Sequence, residues 1–112
     1  MNTFDNVVYT VGDLNAAKSI HCALLGAEPH TDEPYYVGFN INGIEIGLAP
    51  QAQDSRIGPV AYIRVENLAA ALDDAQKAGA TLVDKPRDVG GGTRIATVSD
   101  SDGTILGLIQ RA

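Results

Sequence analysis

The chain predicts an α+β fold in which one βαβββ unit is used twice, and three observations carry that expectation. The first is a repeated strand-turn-helix pattern: Val7, Tyr9 and Val11 alternate ahead of Gly12-Asp13-Leu14 and an Ala-rich helix closed by Gly26. Ala61, Ile63 and Val65 do the same ahead of Glu66-Asn67-Leu68, a helix and Gly79. Val11 and Val65 stand 54 positions apart, as do Leu14 and Leu68. The second is a later echo, Gly43-Ile44-Glu45-Ile46-Gly47-Leu48 against Gly103-Thr104-Ile105-Leu106-Gly107-Leu108, at an offset of 60. The third is length, since 112 residues can build one hydrophobic core but not two independent ones. The halves must therefore share a sheet or an interface. The expected layout is a single domain, with module 1 over residues 1–50, a linker over 51–58 and module 2 over 59–112.

Composition excludes several function classes. Apolar residues make up 45% and charged residues 20%, a globular balance. No stretch approaches the length of a membrane span, and the N-terminus lacks the basic start and apolar run of a signal peptide, so the expected address is the cytoplasm. Cys22 is the one cysteine, which rules out an internal disulfide and a thiolate cluster. A net charge of −6 without a basic stripe argues against nucleic acid and anionic lipid as partners.

In the first half, Asn6–Val11 reads as a strand with Val7, Tyr9 and Val11 on one face and Asn6, Val8 and Thr10 on the other. Asp13 is placed to cap the following helix, whose stripe of Leu14, Ala17, His21, Leu24 and Leu25 should lie on the sheet, and Gly26 ends it. His21 within that stripe reads as a structural imidazole bonded to backbone or to a tyrosine. Residues 27–34 suggest a short strand and a polar connection, which takes in His30. Strands are expected over 35–41 and 44–48, joined by a hairpin at Asn42-Gly43, because both turn residues tolerate positive φ. Ile44, Ile46 and Leu48 then face the helix, and Glu45 and Gly47 face away.

The second half repeats the scheme. Val60, Tyr62 and Arg64 share the face opposite the helix, and Asn67 caps a helix with Leu68, Ala71, Leu72 and Ala75 against the sheet. Strands follow over 81–83, 94–99 and 105–109, and residues 85–92, with Pro86 and three glycines, read as a loop. That glycine run lacks the spacing and the Lys-Ser/Thr of a phosphate cradle. Asp100-Ser101-Asp102-Gly103 starts like a calcium loop but lacks its remaining ligands, so it reads as a hairpin turn.

Taken in order, Val11-x-Asp13-Leu14-x-x-Ala17, Leu25-Gly26, Val65-x-Asn67-Leu68-x-x-Ala71, Gly79-Ala80 and Asp100-x-Asp102-Gly103-x-x-x-Gly107-Leu108 resemble the glyoxalase/bleomycin-resistance/dioxygenase superfamily, also called the vicinal oxygen chelate fold. The resemblance covers nearly the whole chain. It implies tandem βαβββ modules forming a curled, U-shaped mixed sheet with the helices outside, the ligand in the concavity, and a homodimer. It also implies that metal-dependent members carry a His on the first strand of a module and a Glu on the last. Here those positions read Asn6, Gly47, Val60 and Gly107, none of them a usual ligand for zinc, nickel or iron. The two glycines suggest open space in the pocket.

The resulting expectation is a glyoxalase-like protein that binds a small organic ligand, in sequestration or resistance, with no metal and no other cofactor. Its candidate ligand-facing residues are Asn6, Val8, Thr10, Glu45, Gly47, Val60, Tyr62, Arg64 and Gly107. A lyase, isomerase or dioxygenase without a metal or with an atypical metal site is the alternative. In the metal-free form of that alternative, Glu45, Arg64 and Tyr62 would be base, anion holder and acid, against the plainer reading of Arg64 as a solvated side chain. His21 and His30 are expected to lie out of reach of that face.

Overall fold

The computed structural model describes residues 1–52 and 57–112. Among them the order is β1 (Thr3–Val11), α1 (Leu14–Leu25), β2 (Thr31–Glu33), β3 (Tyr36–Ile41), β4 (Ile44–Pro50), β5 (Gly58–Arg64), α2 (Leu68–Lys77), β6 (Thr81–Asp88), β7 (Arg94–Ser99) and β8 (Ile105–Gln110). This is βαβββ written twice, the α+β class that the repeat predicts. Of the segment 51–58 expected as a linker, residues 53–56 lie outside the described residues, and Gly58 already opens β5. No helix among the described residues is long and apolar enough to cross a membrane. The contacts divide the chain into a unit of Asn6–Val60 and a unit of Met1–Asp5 with Ala61–Ala112.

In the Asn6–Val60 unit the strands run in the order β2-β3-β4-β1, with β1 and β4 parallel and the other pairs antiparallel. Val37, Phe39 and Leu48 are fully buried, and Tyr9, Ile41 and Ile46 on the sheet and Leu14, Ala17 and Cys22 on α1 pack against them. Asn6 pairs with Glu45, Val8 with Gly47 and Thr10 with Ala49. Residues directly opposite across a ladder share a face, so these alternate with the helix-facing set and form the open face, as the period of two predicts. Asp13 accepts the Ala16 N–H at 3.0 Å, and Gly26 closes α1 in the left-handed region with its N–H on the Cys22 carbonyl. Asn42 (φ 53°) and Gly43 (φ 85°) make the hairpin turn between β3 and β4. His21 Nδ1–H donates to the Ala17 carbonyl at 2.8 Å, with the Tyr9 ring edge-on and the Phe39 ring stacked nearby, so this imidazole is structural.

In the other unit the order is β5-β8-β7-β6, with β5 and β8 parallel. Leu68 and Leu72 of α2 are buried with Val65, Ala96, Val98 and Leu108. Asn67 accepts the Ala70 N–H at 3.0 Å as its cap. Asp100 Oδ1 accepts the N–H groups of Asp102 and Thr104, which fixes the expected hairpin turn and commits that carboxylate to it.

Two expectations are corrected. Leu24 is 83% exposed and Leu25 is also on the surface, so neither lies between helix and sheet. Leu24 is turned about 80° from Leu14 around the helix at 3.6 residues per turn, at the rim of the stripe in the last helical turn. The region 85–92 is not all loop, because β6 continues through Pro86 to Asp88. It can do so because β6 is the outermost strand of its order and its pairing with β7 is irregular between Leu82 and Arg87, where a missing N–H costs no ladder bond.

Phe39→Ala is expected to destabilise the protein by about 3–5 kcal/mol through loss of burial and the cavity left behind. Leu24→Ala should stay within about 0.5 kcal/mol. Urea unfolding of both variants checks the two expectations together.

Candidate functional site

The open face of the Asn6–Val60 unit gathers most of the residues singled out from the sequence. Asn6 is only 8% exposed and lies beside Glu45 across the β1–β4 ladder; Val8, Thr10 and Gly47 continue the same face. In the other unit, Tyr62 pairs with Gly107 and Arg64 with Ile109. Val60 is half-buried on β5 in the Asn6–Val60 unit.

Neither glycine opens space. A Cβ on Gly47 would come within 2.5 Å of the Tyr36 ring, and one on Gly107 within 2.5 Å of the Tyr62 ring. Gly38, directly opposite Gly47 across the β3–β4 hairpin, is covered as well, with Tyr36, Glu45 and His30 all within 2.9 Å of where its Cβ would be. Each phenol lies flat on a stretch of strand that lacks a side chain. The expectation of a void at 47 and 107 is therefore corrected: the backbone is bare so that a tyrosine can cover it.

Above these glycines sits a cluster that strand alternation did not reveal. His30 Nε2 lies 2.8 Å from Glu45 Oε1 and 3.0 Å from Oε2, and the Tyr36 hydroxyl donates to Glu45 Oε2 at 2.7 Å. The other ring nitrogen, Nδ1, is 2.7 Å from the Thr31 hydroxyl. The side chains of His30 and Glu45 are 47% and 22% exposed, so the imidazole is outermost and the carboxylate sits behind it. His30 precedes β2 and is anchored by its N–H on the Gly38 carbonyl at 2.9 Å. Its exclusion from the open face is overturned, because a residue outside the strand obeys no period of two. The neighbouring Lys18 pairs with Asp32, which raises its pKa above the usual 10.5.

The open face of the second unit is built differently. Burial raises the Tyr62 phenol above its ordinary pKa, Asp84 adds to the rise, and Arg87 opposes it. The Thr97 hydroxyl donates to Asp84 at 2.6 Å. Arg64 is not free in solvent: its Nε meets Asp5 Oδ2 at 3.0 Å, and Arg111 binds the same carboxylate at 2.5 and 3.2 Å. A shallow apolar hollow of about 380 Å³ lies elsewhere in this unit, between the end of α2 and the β7–β8 turn, lined by Ala75, Ala78, Gly79, Val98 and Leu106. Its carboxylate, Asp100, is the one already committed to turn amides.

Comparison with known proteins decides the family. A sequence model of the Glyoxalase/Bleomycin resistance protein/Dioxygenase superfamily matches residues 3–108. The chain belongs to this superfamily. No curated protein matches it in sequence. Among solved structures, a superfamily member from Vibrio splendidus 12B01 superposes with a TM-score of 0.73 at 14% identity, over 99% of this chain and 100% of that one. A Streptomyces coelicolor methylmalonyl-CoA epimerase variant, in complex with 2-nitronate-propionyl-CoA, gives 0.74 at 19% identity over 100% of this chain and 96% of its own. A Legionella pneumophila protein named as an NAD-dependent benzaldehyde dehydrogenase gives 0.76 at 15% identity over 95% and 97%. At these identities the likeness is one of fold, and the fold is the glyoxalase-like one.

Gly47→Ala should cost about 1–3 kcal/mol, because the added methyl must push the Tyr36 ring off the sheet. The sign is informative, since alanine in a strand is otherwise the better residue. The same substitution made in a Tyr36→Ala background should cost far less. A double-mutant cycle by urea unfolding reads this coupling, and additive effects would refute the close packing of ring on backbone.

Proposed function

We propose that this superfamily member binds a small organic ligand on the open faces of its strands and holds no catalytic metal at the positions where the family's metal-dependent enzymes do. The observation that carries the reading is the pair of tyrosines. A ligating carboxylate at 47 or 107 would have to grow into the volume now taken by the Tyr36 or Tyr62 ring. The partner positions, Asn6 and Val60, offer an amide and an aliphatic group, and among the described residues no three of His, Cys, Asp and Glu converge as a metal set. The residues present therefore do not fit a transition ion in its usual three- or four-ligand geometry.

What remains is suited to an organic molecule. Tyr36 and Val8 give apolar surface, while Thr10, Glu45 and His30 add a few polar groups, the usual make-up of a small-molecule site. Asn6 belongs to the same proposed ligand-facing set of the Asn6–Val60 unit, with Gly47 and Val60 beside it; in the other unit the proposed ligand-facing residues are Tyr62 and Arg64, with Gly107 beside them. The Streptomyces epimerase in complex with an acyl-CoA analogue supports the idea that this fold accommodates such ligands. Sequestration of the ligand is the simplest role. On this reading the protein works in the cytoplasm as a homodimer, and the exposed Ile20 and Leu24 on α1 give that association apolar surface to cover.

Three measurements test the proposal. Elemental analysis after dialysis should find no stoichiometric zinc, nickel, iron or manganese, and chelator should leave the melting temperature unchanged. An apolar and aromatic ligand panel should contain compounds that raise the melting temperature by mass action. Light scattering should give a dimer mass. About one equivalent of transition metal per chain would overturn the metal-free reading.

A further inference from the structure

The geometry points to an acid–base centre at His30, in which Glu45, Tyr36 and Thr31 set up the imidazole to move a proton on the bound ligand; this rests on the ligand-binding reading above. The proton positions follow from which groups can donate. An ionised carboxylate only accepts, and the Tyr36 hydroxyl already donates to Glu45 Oε2. The contacts from His30 Nε2 to both Glu45 oxygens, at 2.8 and 3.0 Å, therefore require the proton to be on Nε2. In the neutral ring that leaves Nδ1 with its lone pair free to accept, and the Thr31 hydroxyl 2.7 Å away is its donor. Glu45 thus fixes the tautomer and stands ready to stabilise the imidazolium, while Nδ1 is the basic atom.

The surroundings are shaped for this arrangement and not for core packing. None of the four residues belongs to either buried apolar cluster. Gly38 provides the floor, since a Cβ there would collide with Tyr36, Glu45 and His30 at 2.7, 2.8 and 2.9 Å. The more exposed imidazole is accessible to a ligand, and the Glu45 carboxylate behind it is shielded.

The step is a proton transfer that needs no co-reactant. The ligand's C–H bond next to a carbonyl breaks, its proton goes to Nδ1, and the electron pair moves onto the carbonyl oxygen as an enolate. The Thr31 hydroxyl, displaced from Nδ1, turns to donate to that oxygen. Return of the proton to the same carbon gives exchange or epimerisation, and return to the oxygen gives the enol. A side-chain base working without a Lewis acid is matched to an activated carbon acid, one whose enol is stabilised by a second carbonyl or a carboxylate. The substrate class is therefore a 2-oxo acid or 1,3-dicarbonyl compound.

The test follows enol–keto tautomerisation of phenylpyruvate and oxaloacetate by ultraviolet absorbance, with thermal shift on the same compounds. Wild-type protein should accelerate the reaction in proportion to its concentration. His30→Ala and His30→Asn should each lose on the order of 10²–10⁴-fold in kcat. Glu45→Gln should lower kcat with KM unchanged, and Tyr36→Phe should do so less, which a purely structural role would not produce while melting temperatures stay near wild type. No acceleration over buffer, or full activity in both His30 variants, would overturn the inference. A compound that raises the melting temperature without being tautomerised leaves the binding reading standing and removes this one. Silence in both measurements overturns the inference, and silence across the apolar panel as well removes the binding reading with it.

Discussion

An aromatic ring can lie flat on a β-sheet only where the strand beneath carries no Cβ, and the open faces of this protein are organised by that constraint. Tyr36 spans the Gly38–Gly47 pair and Tyr62 covers Gly107. Glycine normally weakens a strand, because it brings no side chain to pack and loses the most freedom on folding. Here the rings supply the missing contact. Tyr36 in turn holds Glu45 through its hydroxyl, and Glu45 holds His30, so the polar cluster inherits its geometry from two bare backbone positions.

The two faces of each unit are consequently under different rules. Under the helices, burial dictates identity: Val37, Phe39 and Leu48 in one unit and Leu68, Leu72 and Val98 in the other are apolar and enclosed. On the open faces, volume dictates identity. The same constraint excludes any larger side chain at 47 or 107 while the tyrosine ring stays above it.

Much of the architecture was legible because it rests on local chemistry. Asp13 and Asn67 cap helices, Asn42-Gly43 turns a hairpin, and the period of two puts Asn6 beside Glu45 on the open face. Leu24 was misread because a helical stripe has rims, and a sequence does not show how far the sheet beneath extends. Pro86 was taken as a strand breaker because the sequence does not say which strand will be outermost. Glu45 was picked out, but its partners were not, since His30 stands outside any strand and reaches the face through its backbone bond to Gly38. Glycines 47 and 107 were read as space because a one-dimensional pattern shows a missing side chain and not the neighbour that replaces it.

The buried Asp5 carboxylate, 6% exposed and clasped by Arg64 and Arg111, bears on how the chain folds. Met1–Asp5 belong with Ala61–Ala112, so the sequence repeat and the contact units do not coincide. The Asp5–Arg111 pair joins residues 106 positions apart in the sequence. Closing so long a loop costs entropy before its contacts can repay it, and non-local pairing of this kind slows folding. Asp5 leaves the ribosome before the whole of Asn6–Val60 and Arg111 after it, so during synthesis the second unit must wait for Arg111 to emerge, although the strand segment that completes it was made ahead of the first unit.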